Sequence, residues 1–225
     1  METTKPSEHG FSLIELIIAM TITLVVMGLA STLIAGALRA RTREHQKADA
    51  LADAQRALNI MSREIANAGF NLNTNGIVAA ESGLNQIRIR SNLNKYDYSA
   101  TAASRANIQD AGEDITYFMN LAAGTEYLAR HDEYGSGNTV LANRIDSFNI
   151  HYYNQRVSYT SELRGTDISG ASATEVSPDQ ARYIVIAVSV TLNQVGQPGA
   201  PGYQPASTVL LCSDVTLRNA DLTYY

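Results

Sequence analysis

Disulfide stabilisation is excluded from the outset, because the chain's one cysteine, Cys212, has no second thiol within the molecule to pair with. Its setting, Val209-Leu-Leu-Cys-Ser-Asp-Val215, reads as a strand in which the thiol behaves as a small buried hydrophobe rather than a reactive group. Tryptophan is absent and phenylalanine occurs four times, against twelve tyrosines. Such a content suits a sheet with amphipathic faces, and one member each of Tyr152-Tyr153 and Tyr224-Tyr225 is expected in the core. Histidine is scarce too: His9, His45, His131 and His151 show no HExxH or His-x-His spacing. His131-Asp132-Glu133 reads as a solvated turn and His151 as a surface position on a strand. Neither a Ser/His/Asp signature nor a phosphate-binding glycine loop occurs. Asn71-x-Asn73-x-Asn75-Gly76 opens like a calcium loop, but its twelfth position is Ser82, where a bidentate glutamate is needed. Asparagine and glycine there favour a turn. The residues predict no enzyme, no metal centre and no cofactor.

Basic charge is in short supply: 17 Lys and Arg against 22 Asp and Glu give a formal net charge of −5. From Ile65 onward there are 10 basic and 15 acidic side chains, which argues against nucleic acid as a partner. The exception is residues 39–47, where Arg39, Arg41, Arg43 and Lys47 face Glu44 alone, a pattern suited to phospholipid head groups or a solvated helix face.

Charge vanishes altogether from Leu16 to Ala30, and the apolar run continues to Leu38 without proline. It is preceded by Gly10-Phe-Ser-Leu-Ile-Glu15 and a short polar leader. A secretory signal places its basic residues first, its apolar stretch second and its small-residue cleavage site last. Here the candidate cleavage point, between Gly10 and Phe11, comes before the apolar stretch, so processing leaves the membrane helix on the mature chain. Glu15 lies four residues beyond Phe11, about 6 Å along a helix, and so sits shallow in a bilayer. A carboxylate in a spanning helix is costly and is functional by default; its natural partner is an α-amine.

These residues resemble the type III signal of type IV pilins and pseudopilins over about thirty positions. The resemblance implies that a membrane prepilin peptidase and methyltransferase cuts after Gly10 and methylates Phe11. It also implies that Glu15 serves subunit assembly. It places the chain in the bacterial inner membrane as a single-pass protein with its head outside the cytoplasm, in contact with lipid, and afterwards in a pilus or pseudopilus. The basic flank taken alone places that side in the cytoplasm.

Beyond the membrane run, Leu51, Ala54, Leu58, Met61, Ile65 and Ala68 recur at spacings of three and four, with Arg56, Asn59, Arg63 and Asn67 opposite. This predicts an unbroken helix from Phe11 to Ala68, 58 residues or roughly 87 Å, stopped by Gly69. Gly28 and Gly36, with Ser31 and Thr32, form a small-residue patch of the kind that permits close helix approach in membranes. After Gly69 the period changes to two, predicting strands at 86–90, 114–120, 126–130, 147–152, 183–192 and 208–217. Residues 121–124 and 134–138 have turn composition, as do 195–206, which read as a mobile loop; 154–181 read as a long polar insertion. The expected organisation is a leader at 1–10, a transmembrane helix at 11–38, an amphipathic stalk at 39–69 and an antiparallel head at 70–225. The fold class is α+β.

Arg63-Glu-Ile-Ala-Asn-Ala-Gly-Phe70, the 115–130 strand pair, Ile145-Asp-Ser-Phe and the late Val215-Thr-Leu-Arg-Asn219 resemble PilW-type minor pilins. The J-type minor pseudopilins of type II secretion are similar. The resemblance implies a part in type IV pilus assembly, in an initiation or tip complex, with the major pilin and other minor pilins as partners. A minor pseudopilin and a signal-anchored extracytoplasmic binding domain are the alternatives.

Overall fold

The computed structural model describes residues 12–121, 126–143, 145–161, 167–200 and 202–220. One helix, α1 (Leu13–Ala66), runs 54 residues, about 81 Å at 1.5 Å per residue. It is followed by β1 (Gln86–Arg90), a short helix α2 (Ala102–Ala106), β2 (Asp114–Asn120), β3 (Tyr127–Asp132), β4 (Gly137–Asn143) and β5 (Ser147–Tyr153). A small hairpin, β6 (Thr160–Ser161) and β7 (Ile168–Ser169), precedes the two long strands β8 (Tyr183–Leu192) and β9 (Ser207–Thr216). The strands form an antiparallel sheet β1-β2-β3-β4, a second β5-β8-β9, and the separate β6-β7 pair. The architecture is thus α+β, a long helix followed by antiparallel sheets.

Two compact units are distinguishable. One comprises the helix to Glu44 with Gln194–Pro205; the other comprises His45–Asn193 and Ala206–Tyr225. In the second unit the helical stripe behaves as its spacing predicts. Ala54, Leu58, Met61, Ile65 and Ala68 are buried, with Leu51 half-buried, while Arg56, Asn59, Arg63 and Asn67 are exposed. The stripe packs into one core with Ile87 and Ile89 of β1, Ile115 of β2, Phe148 and Ile150 of β5, and Ile184 and Ile186 of β8. A polar tie reinforces this contact: Glu64 on the helix accepts from the Tyr117 hydroxyl and, at 3.0 Å, from Arg130 Nε. Burial first, and then Glu64, push the Tyr117 hydroxyl well above its ordinary pKa.

Gly69 ends the helix region in the left-handed conformation (φ 75°) and donates its N–H to the Arg90 carbonyl at 2.9 Å. Arg90 returns a bond to the Gly76 carbonyl at 2.7 Å, so the 69–76 turn clips the helix end to β1. Within that turn Asn75 donates to the carbonyls of Pro178 and Ala181 and accepts from the Ile77 N–H. The asparagines that imitate a calcium loop thus do local structural work.

Four expectations need correction. β4 lies where a turn is expected up to Asn138; its residues are largely exposed, so no hydrophobic alternation marks it, and pairing with β3 imposes the strand. His131 and Asp132 belong to β3 rather than a solvated turn, and Asp132 is buried, accepting from the Gly112 N–H at 2.8 Å. Cys212 is half-buried on β9 opposite Ala187, less enclosed than predicted, and burial raises its thiol pKa.

The fourth is His151, which is 7 % exposed rather than on the surface. Described residues of the 154–181 insertion, Val157, Tyr159, Ile168, Ala171 and Ala173, cover its face of β5 and form a second cluster with Tyr153, Tyr183 and Val185. His151 Nδ1 and Nε2 each lie 2.6 Å from a carboxylate of that insertion, Glu175 and Asp167 respectively. Burial opposes protonation, but the two carboxylates outweigh it and raise the imidazole pKa above its usual 6.5. A folded-state pKa above the unfolded value means the clasp contributes fully below about pH 6.5 and fades as pH rises through the folded pKa. A neutral ring keeps one N–H, so one carboxylate then loses its donor. Hydrogen exchange of Ile168–Glu175, corrected for intrinsic rates, is expected to be constant from about pH 5.5 to 6.5, where ordinary carboxylates are ionised, and faster at alkaline pH. A flat profile in His151→Gln, with pH dependence retained in the wild type, assigns the effect to this ring; a flat wild-type profile contradicts it.

Candidate assembly helix

Gly10 and Phe11 lie outside the described residues. Their neighbour in the motif, Glu15, is exposed in the first turn of α1, where a carboxylate complements the positive end of the helix dipole. The helix beyond it is long and apolar enough to cross a bilayer: its most apolar 18-residue window has a mean hydropathy of 2.4 and none of it is buried. Leu16, Ile17, Ile18, Met20, Ile22, Leu24 and their successors to Leu38 present their side chains outward. No polar hydroxyl is left to solvate in this stretch. Thr21, Thr23, Ser31 and Thr32 each donate to a carbonyl one turn back, at 2.8 Å. Such a surface is stable only against hydrocarbon or other apolar helices.

The outer end of this unit differs from the sequence expectation. The 195–206 run, read from composition as a mobile loop, is closed on itself and seated on the helix through its described residues. Val195 and Gln204 exchange two backbone hydrogen bonds of 3.0 Å. Gly202, at φ 76°, approaches Gly36 so closely that a Cβ on it would fall 2.6 Å from the Gly36 Cα. Arg43, only 6 % exposed, donates to the Pro205 carbonyl at 2.9 Å. Gly36 thus does serve close approach, but its partner within the chain is this loop; Gly28 has nothing within 4 Å of where its Cβ would stand. Composition alone hides this seat, since glycine and proline mark turns whether or not a surface receives them. Gly202→Val is expected to unseat the loop, seen as faster proteolytic cutting between Val195 and Gln204. An unchanged cutting rate contradicts the packing.

Residues 5–31, a span that includes Gly10, Phe11 and Glu15, match the family model described as the prokaryotic N-terminal methylation motif. No curated protein matches the chain. Among solved structures, a type IV-like pilin from Thermus thermophilus is similar at 12% identity and a TM-score of 0.38, covering 76% of this chain and 97% of that one. The chain thus carries an N-terminal methylation motif that leads into a long apolar helix and then antiparallel sheets.

Proposed function

We propose that the chain is a minor pilin that takes part in assembling a type IV pilus, in its initiation or tip complex. The observation that carries this reading is the methylation motif placed directly before an apolar helix whose most apolar window is unburied among the described residues. Prepilin peptidase cuts after Gly10 and methylates Phe11. Residues 11–38 then hold the protein in the inner membrane with the head outside the cytoplasm, residues 39–69 form the stalk and 70–225 the head. During assembly the apolar helix exchanges lipid for the helices of the major pilin and other minor pilins. Glu15 pairs with the N-terminal amine of a neighbour, which neutralises two charges in a low-dielectric bundle. The role is structural rather than enzymatic, and specificity among subunits comes from the head surface.

A deletion strain scored for both surface pili and secreted enzymes tests the assignment. Loss of pili with secretion intact is expected. Normal pili with blocked secretion would instead identify a minor pseudopilin of type II secretion.

A further inference from the structure

The head is acidic, yet one cleft in it gathers cations. About 490 Å³ in volume, it lies between the end of β1 and the 92–109 segment and is lined by Arg90, Asn92, Lys95, Arg105, Asp114 and Tyr134, among others. The carboxylate among these is already committed. Asp114 is 2 % exposed and receives Arg88 on both oxygens, at 2.7 and 2.9 Å, and Arg90 Nε at 2.8 Å. Lys95 and Arg105 form no ion pair among the described residues. The ammonium rests 3.3 Å from the Asn71 carbonyl and the guanidinium 5.4 Å from the centre of the Tyr98 ring.

The acids behind the cleft wall are turned inward. Glu113, 1 % exposed, accepts from the N–H groups of Leu93, Asn94 and Asp110, while Asp110 accepts from Asn94 and Ser104. They brace the loop, and neither forms an ion pair with Lys95 or Arg105 among the described residues; Asp97 acts on Arg105 only from a distance. Asn92 supplies a second feature. Its Nδ2 donates to the Arg105 carbonyl at 3.0 Å, and because a carbonyl only accepts, the amide orientation is fixed. Its Oδ1 is then left buried with no donor among the described residues. A buried acceptor without a donor is costly, so this wall of the cleft is polar but not fully paired.

The cleft therefore offers two cations without an ion pair among the described residues, Lys95 and Arg105, for an anion, asparagines along its lining for hydroxyls, and the partly exposed Tyr134 for an apolar ring face. We propose that it binds an acidic saccharide, a pyranose carrying a carboxylate, as a recognition site on the head. The carboxylate meets Arg105 and Lys95, ring hydroxyls meet the asparagines that line the cleft, and the C–H face of the ring lies on Tyr134. Its volume suits one or two sugar rings. A nucleic-acid backbone needs a longer basic track than this island within a head of 10 basic and 15 acidic side chains. The site does not depend on whether the filament is a pilus or a pseudopilus.

Calorimetry on the full chain in detergent micelles tests this, with oligogalacturonate, its methyl-esterified form and inorganic phosphate as probes. Saturable binding of the acid form is expected. Methyl esterification abolishes it, Arg105→Ala and Lys95→Ala each weaken it at least tenfold, Tyr134→Ala weakens it, and Arg56→Ala on the helix leaves it unchanged. Unaltered circular dichroism of the variants excludes misfolding as the cause. Absence of saturable binding, or binding indifferent to Arg105→Ala and Lys95→Ala, overturns the proposal. Phosphate displacing the oligomer equally well, with Tyr134→Ala without effect, reduces the site to an anion site and overturns the saccharide assignment.

Discussion

Glu15→Leu is expected to leave the protein in the membrane and remove it from the filament. The substitution raises the apolar character of a helix that is long and apolar enough to span a bilayer, so insertion is expected to lose nothing. Assembly is different. In the proposed bundle the neighbour's methylated amine at Phe11 faces this carboxylate, and removing one partner of a buried pair leaves the other charge uncompensated at a cost of roughly 3–5 kcal/mol. That corresponds to about two orders of magnitude or more in association. Co-purification with the other pilin subunits reads the effect, with membrane fractionation as the control. If Glu15→Leu co-purifies as well as wild type, the carboxylate is not an assembly contact.

Gly76→Ala is expected to be the most disruptive single methyl group in the head. Gly76 has φ 78°, and a Cβ there would stand 2.0 Å from the Gly69 nitrogen, 2.4 Å from the Arg90 oxygen and 2.7 Å from the Gly69 Cα. All three are backbone atoms of the clip that joins the helix end to β1, so no side chain can swing aside. The expected loss exceeds about 4 kcal/mol, the range that marks a named structural fault. Gly83→Ala is the matched control, having negative φ and nothing within 4 Å of the added carbon. Urea unfolding of both variants in detergent reads the difference; a Gly76→Ala midpoint close to that of Gly83→Ala contradicts the clip.

The contrast between these glycines could not be read from sequence, because Gly69 and Gly76 come together only when the 69–76 turn closes. The long helix, β1, β2 and β8 were legible because burial on a defined face leaves a period in the residues: Ile87 and Ile89 alternate inward, and Leu58, Met61 and Ile65 repeat at helical spacing. β4 left no such trace, since Asn138, Thr139 and Val140 are exposed. His151 misled for the opposite reason. Both faces of β5 are covered, one by the helix-side core and the other by described residues of the 154–181 insertion, so alternation there does not separate inside from outside. The apolar helix was legible over its described residues, as charge-free length is a local property. The basic cleft was not, for Arg90, Lys95 and Arg105 sit on three separate segments and meet only through the loop that Glu113 braces.

Processing at the N-terminus underlies the proposed assembly, and mass spectrometry of the protein isolated from membranes of cells that possess prepilin peptidase tests it directly. The predicted result is a mature chain that begins at Phe11, lacks Met1–Gly10 and carries one additional methyl group on its terminal nitrogen. An intact leader in those cells, or a cut on the far side of the apolar helix, would contradict it.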